Sequence, residues 1–145
     1  MVNSPETLIA FEEGRRHDAY QDTLGYWTCG IGHRFTDSLP HDGEVWSDEK
    51  IDQVFAADYA RAFNGIHSVL PWVDGLDDVR KAYLVSMAFQ LGVGGVLQFK
   101  NMLAALRDQR WNDAAGNVRA SLWHKQTFLR SERCARAFET GAWQS

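Results

Sequence analysis

The segment Phe11-Glu12-Glu13-Gly14, followed by Ala19-Tyr20-Gln21-Asp22-Thr23-Leu24-Gly25-Tyr26-Trp27-Thr28-Cys29-Gly30-Ile31-Gly32-His33, decides how this chain is read. Upstream of it, Ser4-Pro5-Glu6 has the form of a helix start. The Ser4 hydroxyl can cap, a proline at the first helical position loses no hydrogen bond, and an acid in the first turn complements the helix dipole. Leu8, Ile9, Phe11 and Glu12 keep helical spacing until Gly14, a natural left-handed stop. The first helix is therefore expected to end at Glu13. From Ala19 to Phe35 the texture turns β-branched and aromatic, and Asp22-Thr23-Leu24-Gly25 reads as the turn of a small glycine-rich hairpin.

Residues 36–46 carry turn formers without periodicity and are expected to form a loop, with room for one more edge strand. Ser47-Asp48-Glu49 then opens a long helix whose apolar face carries Ile51, Val54, Phe55, Tyr59 and Phe63 as far as about Val69. Beyond Pro71 the chain reads as helical over about 76–91, 93–106, 111–123 and 128–139, with Gly92-Val93-Gly94-Gly95 as a helix break and Gly141 as the last stop. The expected fold class is α+β. A small lobe with a β-hairpin (13–60) is joined by a long helix to a larger all-helical lobe (1–12 and 61–145), with a cleft between them. With 145 residues and 45% hydrophobic content, the chain is long enough for one domain with a substantial core.

Charge is unevenly distributed. Residues 1–79 hold 5 Lys/Arg against 15 Asp/Glu, whereas residues 80–145 hold 10 against 4, within an overall net charge of -4. Such polarity serves either an anionic polymer facing the basic half or attraction between the halves. No apolar run approaches a membrane span, and the first residues have no signal-peptide pattern, so a cytoplasmic product without stable membrane association is expected. Cys29 and Cys134 lie far apart with no metal-ligand spacing, so both are expected as thiols and neither a metal nor a cofactor is implied.

Chemistry concentrates in the opening segment. A half-buried carboxylate in the last turn of a helix meets the negative end of the dipole and poor solvation, and both favour the protonated form that a general acid needs. Asp22 lies in a turn, where backbone N–H groups and the Thr23 hydroxyl can bond its ionised form. One protonated and one ionised carboxyl is the pattern of a glycosidase. Residue chemistry alone leaves Glu12 and Glu13 both open as the acid. Cys29 and His33 as nucleophile and base lack a third orienting group, and the basic half lacks the aromatic-basic motif of a nucleic-acid module. His33 is expected to be structural, donating to a carboxylate such as Asp58. Trp111, Trp123 and Trp143 are expected in the core, with Trp27 open as a sugar-stacking residue.

Glu13-Gly14 followed by Tyr20-x-Asp22-x-x-Gly25-x-x-Thr28-x-Gly30-x-Gly32-His33 resembles the signature of the phage lysozymes, the endolysins of glycoside hydrolase family 24. The likeness continues through Leu76-Asp77-x-Val79-Arg80, Met87-x-Phe89-Gln90-x-Gly92, Arg110-Trp111, Trp123-x-x-Gln126-Thr127, Arg130 and Thr140-Gly141-x-Trp143. The resemblance implies a lysozyme-like single domain that hydrolyses, with inversion, the β-1,4 bond between N-acetylmuramic acid and N-acetylglucosamine in peptidoglycan. By resemblance Glu13 is the general acid, Asp22 activates water and Thr28 helps to hold it, while Arg130 pairs with the glutamate. Phe89, Asn117, Arg34 and Met102 fall on sugar-contacting positions. Arg34 and Met102 replace a leucine and a serine of the T-even members, and the stretch from His33 to Ser47 is shorter than theirs. Family context implies a monomer whose partner is the glycan strand, reaching the wall through a holin to lyse the host. A lytic transglycosylase or a non-catalytic glycan-binding protein are the alternatives on the same scaffold.

Overall fold

The computed structural model describes residues 1–145. Helix α1 spans Pro5–Glu13. Ser4 caps it reciprocally with Thr7: the Ser4 Oγ accepts from the Thr7 N–H at 3.1 Å, and the Thr7 Oγ1 accepts from the Ser4 N–H at 3.0 Å. Leu8 and Ile9 are fully buried, and Gly14, at φ +82°, ends the helix as its sequence position requires.

Strands β1 (Arg16–Gln21), β2 (Trp27–Gly30) and β3 (His33–Arg34) form one antiparallel sheet in chain order. The expected hairpin is thus three-stranded. Gly30 and Gly32, both at φ +65°, reverse the chain around Ile31, and the two-residue return strand is too short to leave a periodic signal. The β1–β2 turn is held by Asp22, whose Oδ1 accepts the N–H groups of Leu24 and Tyr26 at 2.9 Å each.

Ser47 caps α2 (Asp48–Val69), which runs past the sheet and buries Ile51, Phe55 and Ile66. A 3₁₀ turn (Pro71–Gly75) leads to α3 (Asp78–Leu97), capped by Asp77 and interrupted at Gly92, φ +74°. The glycine-rich break is therefore confined to one residue, after which the chain regains helix. Helices α4 (Lys100–Arg107), α5 (Trp111–Arg119), α6 (Leu122–Gln126) and α7 (Phe128–Thr140) complete the fold. Where the sequence predicts one helix over 111–123 there are two, because the Ser121 hydroxyl accepts from the His124 N–H and starts α6 afresh. No single helix is long and apolar enough to cross a membrane.

Buried side chains form a continuous core in which α1 packs on α3, and α7 on α5 and α6. Trp123 is buried, and Trp111 and Trp143 pack partly buried against that core. Arg80 is the unexpected polar member. Its Nε donates to the Phe138 carbonyl at 2.7 Å, its Nη1 to Asp77, and its guanidinium stacks 3.8 Å over Trp111. This arginine satisfies a carbonyl in the last turn of α7, which buried backbone demands. Besides the local Asp77–Arg80 pair, the acidic N-terminal half and the basic C-terminal half meet through two long-range ion pairs, Glu13–Arg130 at 2.8 Å and Glu12–Arg133 at 2.6 Å.

Candidate active site

Glu13 closes α1 and faces a pocket of about 460 Å³ that also holds Asp22, Thr28, Arg34, Phe89 and Gln90. The pocket lies between the sheet and α3. Gly32 brings the two together: a Cβ there would sit 3.0 Å from the Glu13 Cβ and Cγ, so only glycine lets the β2–β3 turn lie against the acid.

The adjacent glutamates are separated by their partners. Glu12, with a side chain only 3% exposed, takes a bidentate grip from Arg133, Nε at 3.1 Å and Nη2 at 2.6 Å. Both of its oxygens are consumed inside the protein. Glu13 is bonded by Arg130 through Oε1 alone, at 2.8 Å, and its Oε2 has no partner within the protein. Arg130 is itself anchored, its Nη2 donating to the Ser86 carbonyl at 3.0 Å and to the Ser86 Oγ at 3.2 Å. The result is a carboxyl group held at one oxygen and open to the pocket at the other.

Asp22 has its Oδ1 engaged by the turn and its Oδ2 approached by the Arg34 Nη2 at 3.3 Å. The Arg34 guanidinium in turn lies 4.2 Å over the Tyr26 ring. Thr28, 5% exposed on β2, donates its hydroxyl proton to the Tyr26 carbonyl at 3.1 Å, so its oxygen lone pairs remain available as acceptors. Two acidic side chains and a hydroxyl therefore share one pocket, with a free oxygen on Glu13 and an acceptor on Thr28.

Phe89 and Arg34 also line this pocket. His33 lies just outside it and gives its Nδ1 to the Asp58 Oδ2 at 2.7 Å, tying β3 to α2. Burial opposes charge on Asp58, but His33 and Arg61 outweigh it and hold its carboxyl below the usual range. One sugar-site expectation is corrected, and another residue lies outside this pocket. Met102 is 1% exposed in the core, because α4 turns that face inward, and it cannot touch a ligand in the cleft. Asn117 lies on α5 with its Nδ2 donating to the Asp113 carbonyl, and it lines a separate hollow with Asn101 and Arg110. Cys29 is fully buried against the Arg16 and His17 carbonyls, and burial pushes its thiol up, which removes it as a nucleophile. Trp27 is half-buried and lines a shallow hollow beside Phe35 rather than this pocket.

Sequence reading passed over two polar residues as pocket components, Tyr20 and Gln90. Gln90 accepts from the Trp123 Nε1 at 3.0 Å and donates to the Thr127 Oγ1 at 3.4 Å, linking the pocket to α6. The signal available for it was its place beside Phe89.

Residues 10–133 match the family model described as phage lysozyme. The chain is 32% identical to probable T4-type lysozyme 1 of Dictyostelium discoideum over 164 aligned positions, covering 97% of this chain and 96% of the relative. It is 31% identical to the pre-baseplate central spike protein Gp5 of Enterobacteria phage T4, covering 95% of this chain but 28% of that protein. It is also 33% identical to the endolysin of Bacillus phage B103, over 77% of this chain and 45% of the relative.

Proposed function

The chain belongs to the phage lysozyme family and is a glycoside hydrolase with a lysozyme-like α+β fold, and on that premise we propose that it is an inverting muramidase. Its substrate is the β-1,4 bond between N-acetylmuramic acid and N-acetylglucosamine in peptidoglycan. The observation that carries this reading is the shared pocket, in which Glu13 keeps Oε2 unpartnered while Asp22 and Thr28 stand in the same cavity.

In the reaction, Glu13 donates its proton from Oε2 to the glycosidic oxygen as the bond from that oxygen to C1 breaks. A water molecule donates one hydrogen bond to the Thr28 oxygen and another to Asp22, which turns a lone pair toward C1 on the opposite face. Asp22 receives the water proton as the new C–O bond forms. Proton transfer contributes on the order of 10² to 10⁴ in rate, and preorganised charge in the cleft supplies much of the remainder. Arg130 acts by holding the Glu13 carboxyl in one rotamer, and Arg34 by steadying Asp22. The biological setting we assign is lysis of a bacterial host at the end of a phage cycle. The monomeric enzyme accumulates in the host cytoplasm and reaches the wall through a holin.

Digestion of purified sacculi tests the proposal. Mass spectrometry should find hydrated reducing-end muramic acid, and proton NMR at early times should find the α-anomer. Anhydro ends would assign a transglycosylase instead, a β-anomer would overturn inversion, and freed stem peptides would remove the glycosidase reading altogether.

A further inference from the structure

Past Gly32 and Phe89 the cleft continues into a second hollow of about 320 Å³ between β3, α2 and α3. Its charge is opposite to that of the first. The first holds Glu13 and Asp22, the second holds Arg61, and Arg34 stands on the wall the two share; Arg34 and Arg61 are two of the five Lys/Arg of the acidic half. The one carboxylate in the second hollow, Asp58, has both oxygens occupied, Oδ2 by His33 at 2.7 Å and Oδ1 by Arg61 at 2.9 Å.

Each arginine has donors to spare. Arg61 uses only Nη1 and is 73% exposed; Arg34 makes one 3.3 Å contact, to Asp22, and is 53% exposed. A guanidinium carries five N–H donors, so most of them are without a partner in the protein, although the Arg34 group also lies over the Tyr26 ring. Beneath the two cations the wall is apolar, formed by Ala62, Ala88, Phe89 and Val93. A ligand that fits must combine a small apolar group with an anionic oxygen.

We propose that Arg34 and Arg61 form a subsite for the lactyl group of a muramic acid unit, its methyl against the Ala62 and Val93 side and its carboxyl oxygen on the guanidinium groups. The assignment rests on the muramidase reading and deepens it: the acids at one end of the cleft, Arg61 at the other and Arg34 between them would set the direction of a strand whose sugars alternate between lactyl-bearing and lactyl-free. The carboxyl is a full anion where the stem peptide has been removed and an amide carbonyl where it is attached. Guanidinium binds the anion more strongly.

Binding to Glu13→Gln and to Glu13→Gln/Arg61→Gln, measured by calorimetry, separates the sources without requiring turnover. Three ligands are needed: glycan strands stripped of stem peptides, strands carrying them, and a chito-oligosaccharide of equal length without lactyl groups. Loss of Arg61 should weaken the stripped strand about fivefold, the upper range for a solvent-exposed ion pair, and the difference should shrink with added salt. Affinity for the chito-oligosaccharide should stay the same. A loss confined to stem-bearing strands would transfer the contact to a peptide carboxylate and overturn the lactyl assignment, as would equal affinity for all three ligands. Wild-type digestion of sacculi reports separately on the muramidase reading. Strand binding that responds to Arg61 in an enzyme that cleaves nothing would sink that reading and leave the subsite standing.

Discussion

Arg130 reaches Glu13 across 117 positions of sequence to bond one carboxyl oxygen at 2.8 Å, while its neighbour in the same helix, Arg133, takes both oxygens of Glu12. Two glutamates that are adjacent in the chain thus acquire different tasks from the number of oxygens their arginines occupy. Glu12 is a structural charge, and Glu13 is the open one.

Activity and stability should therefore separate at these positions. Glu13→Gln is expected to lower turnover of sacculi by about 10³ or more, within the range of general acid catalysis, while the thermal midpoint stays near wild type. Glu12→Ala strips the partner from an ion pair whose carboxylate is almost fully enclosed, leaves Arg133 without its carboxylate, and should cost roughly 3 kcal/mol of folding stability with residual activity in the surviving folded protein. Parallel turbidity assays and denaturant melts check both. Equal losses of activity and stability in the two variants would contradict the division of roles.

Gly32→Ala should behave as an active-site mutation although residue 32 carries no functional group. Its φ of +65° and the 3.0 Å approach of a new Cβ to Glu13 force the acid or the turn to move. A displacement of this order is expected to reduce kcat by about 10² with a smaller change in KM. Unchanged kcat in a folded variant would show that the Glu13 position tolerates such a shift.

The loop that follows β3 is held by a histidine between two acids. His41 gives Nδ1 to Glu44 at 2.9 Å and Nε2 to Asp37 at 2.8 Å, and its ring stacks on Phe35 at 3.7 Å. Both ring nitrogens facing carboxylates means an imidazolium, and Glu44, then Asp37, raise the His41 pKa while theirs fall. A raised histidine pKa contributes stability that is complete below the unfolded value of about 6.5 and is lost as pH rises through the folded value. The lowered acids contribute above about 4 and lose their contribution as pH falls. Wild type should thus lose midpoint temperature between neutral and mildly alkaline pH relative to His41→Gln. Identical pH profiles from calorimetry would exclude the clasp.

Both thiols should be silent in the native protein. Cys29 is fully enclosed, Cys134 is 3% exposed, and burial pushes both thiols up. Ellman's reagent is expected to titrate two groups only after denaturant is added, and a fast native reaction would place one of them at an opening segment.

Local chemistry accounts for what was readable in the chain. Ser4 and Ser47 cap helices, Gly14 and Gly141 end them, and Asp22 organises its turn through donors two and four residues away, so each feature follows from neighbours along the chain. Residue types suggested a pair of carboxyl groups and a structural role for His33 toward an acid such as Asp58, which the structure shows at 2.7 Å, whereas Thr28 entered only through the resemblance. Met102 was misread as a cleft residue, since resemblance supplies a position but not the direction a helix face takes once α4 packs. Residue chemistry left Glu12 and Glu13 open and the resemblance chose Glu13; the different partners of the two carboxyl groups, the close approach of Gly32 to Glu13, and the presence of Arg34 and Arg61 around one hollow arose only from tertiary structure. Each depends on segments far apart in the chain being fixed within a few ångströms by core packing, a distance that sequence spacing does not encode.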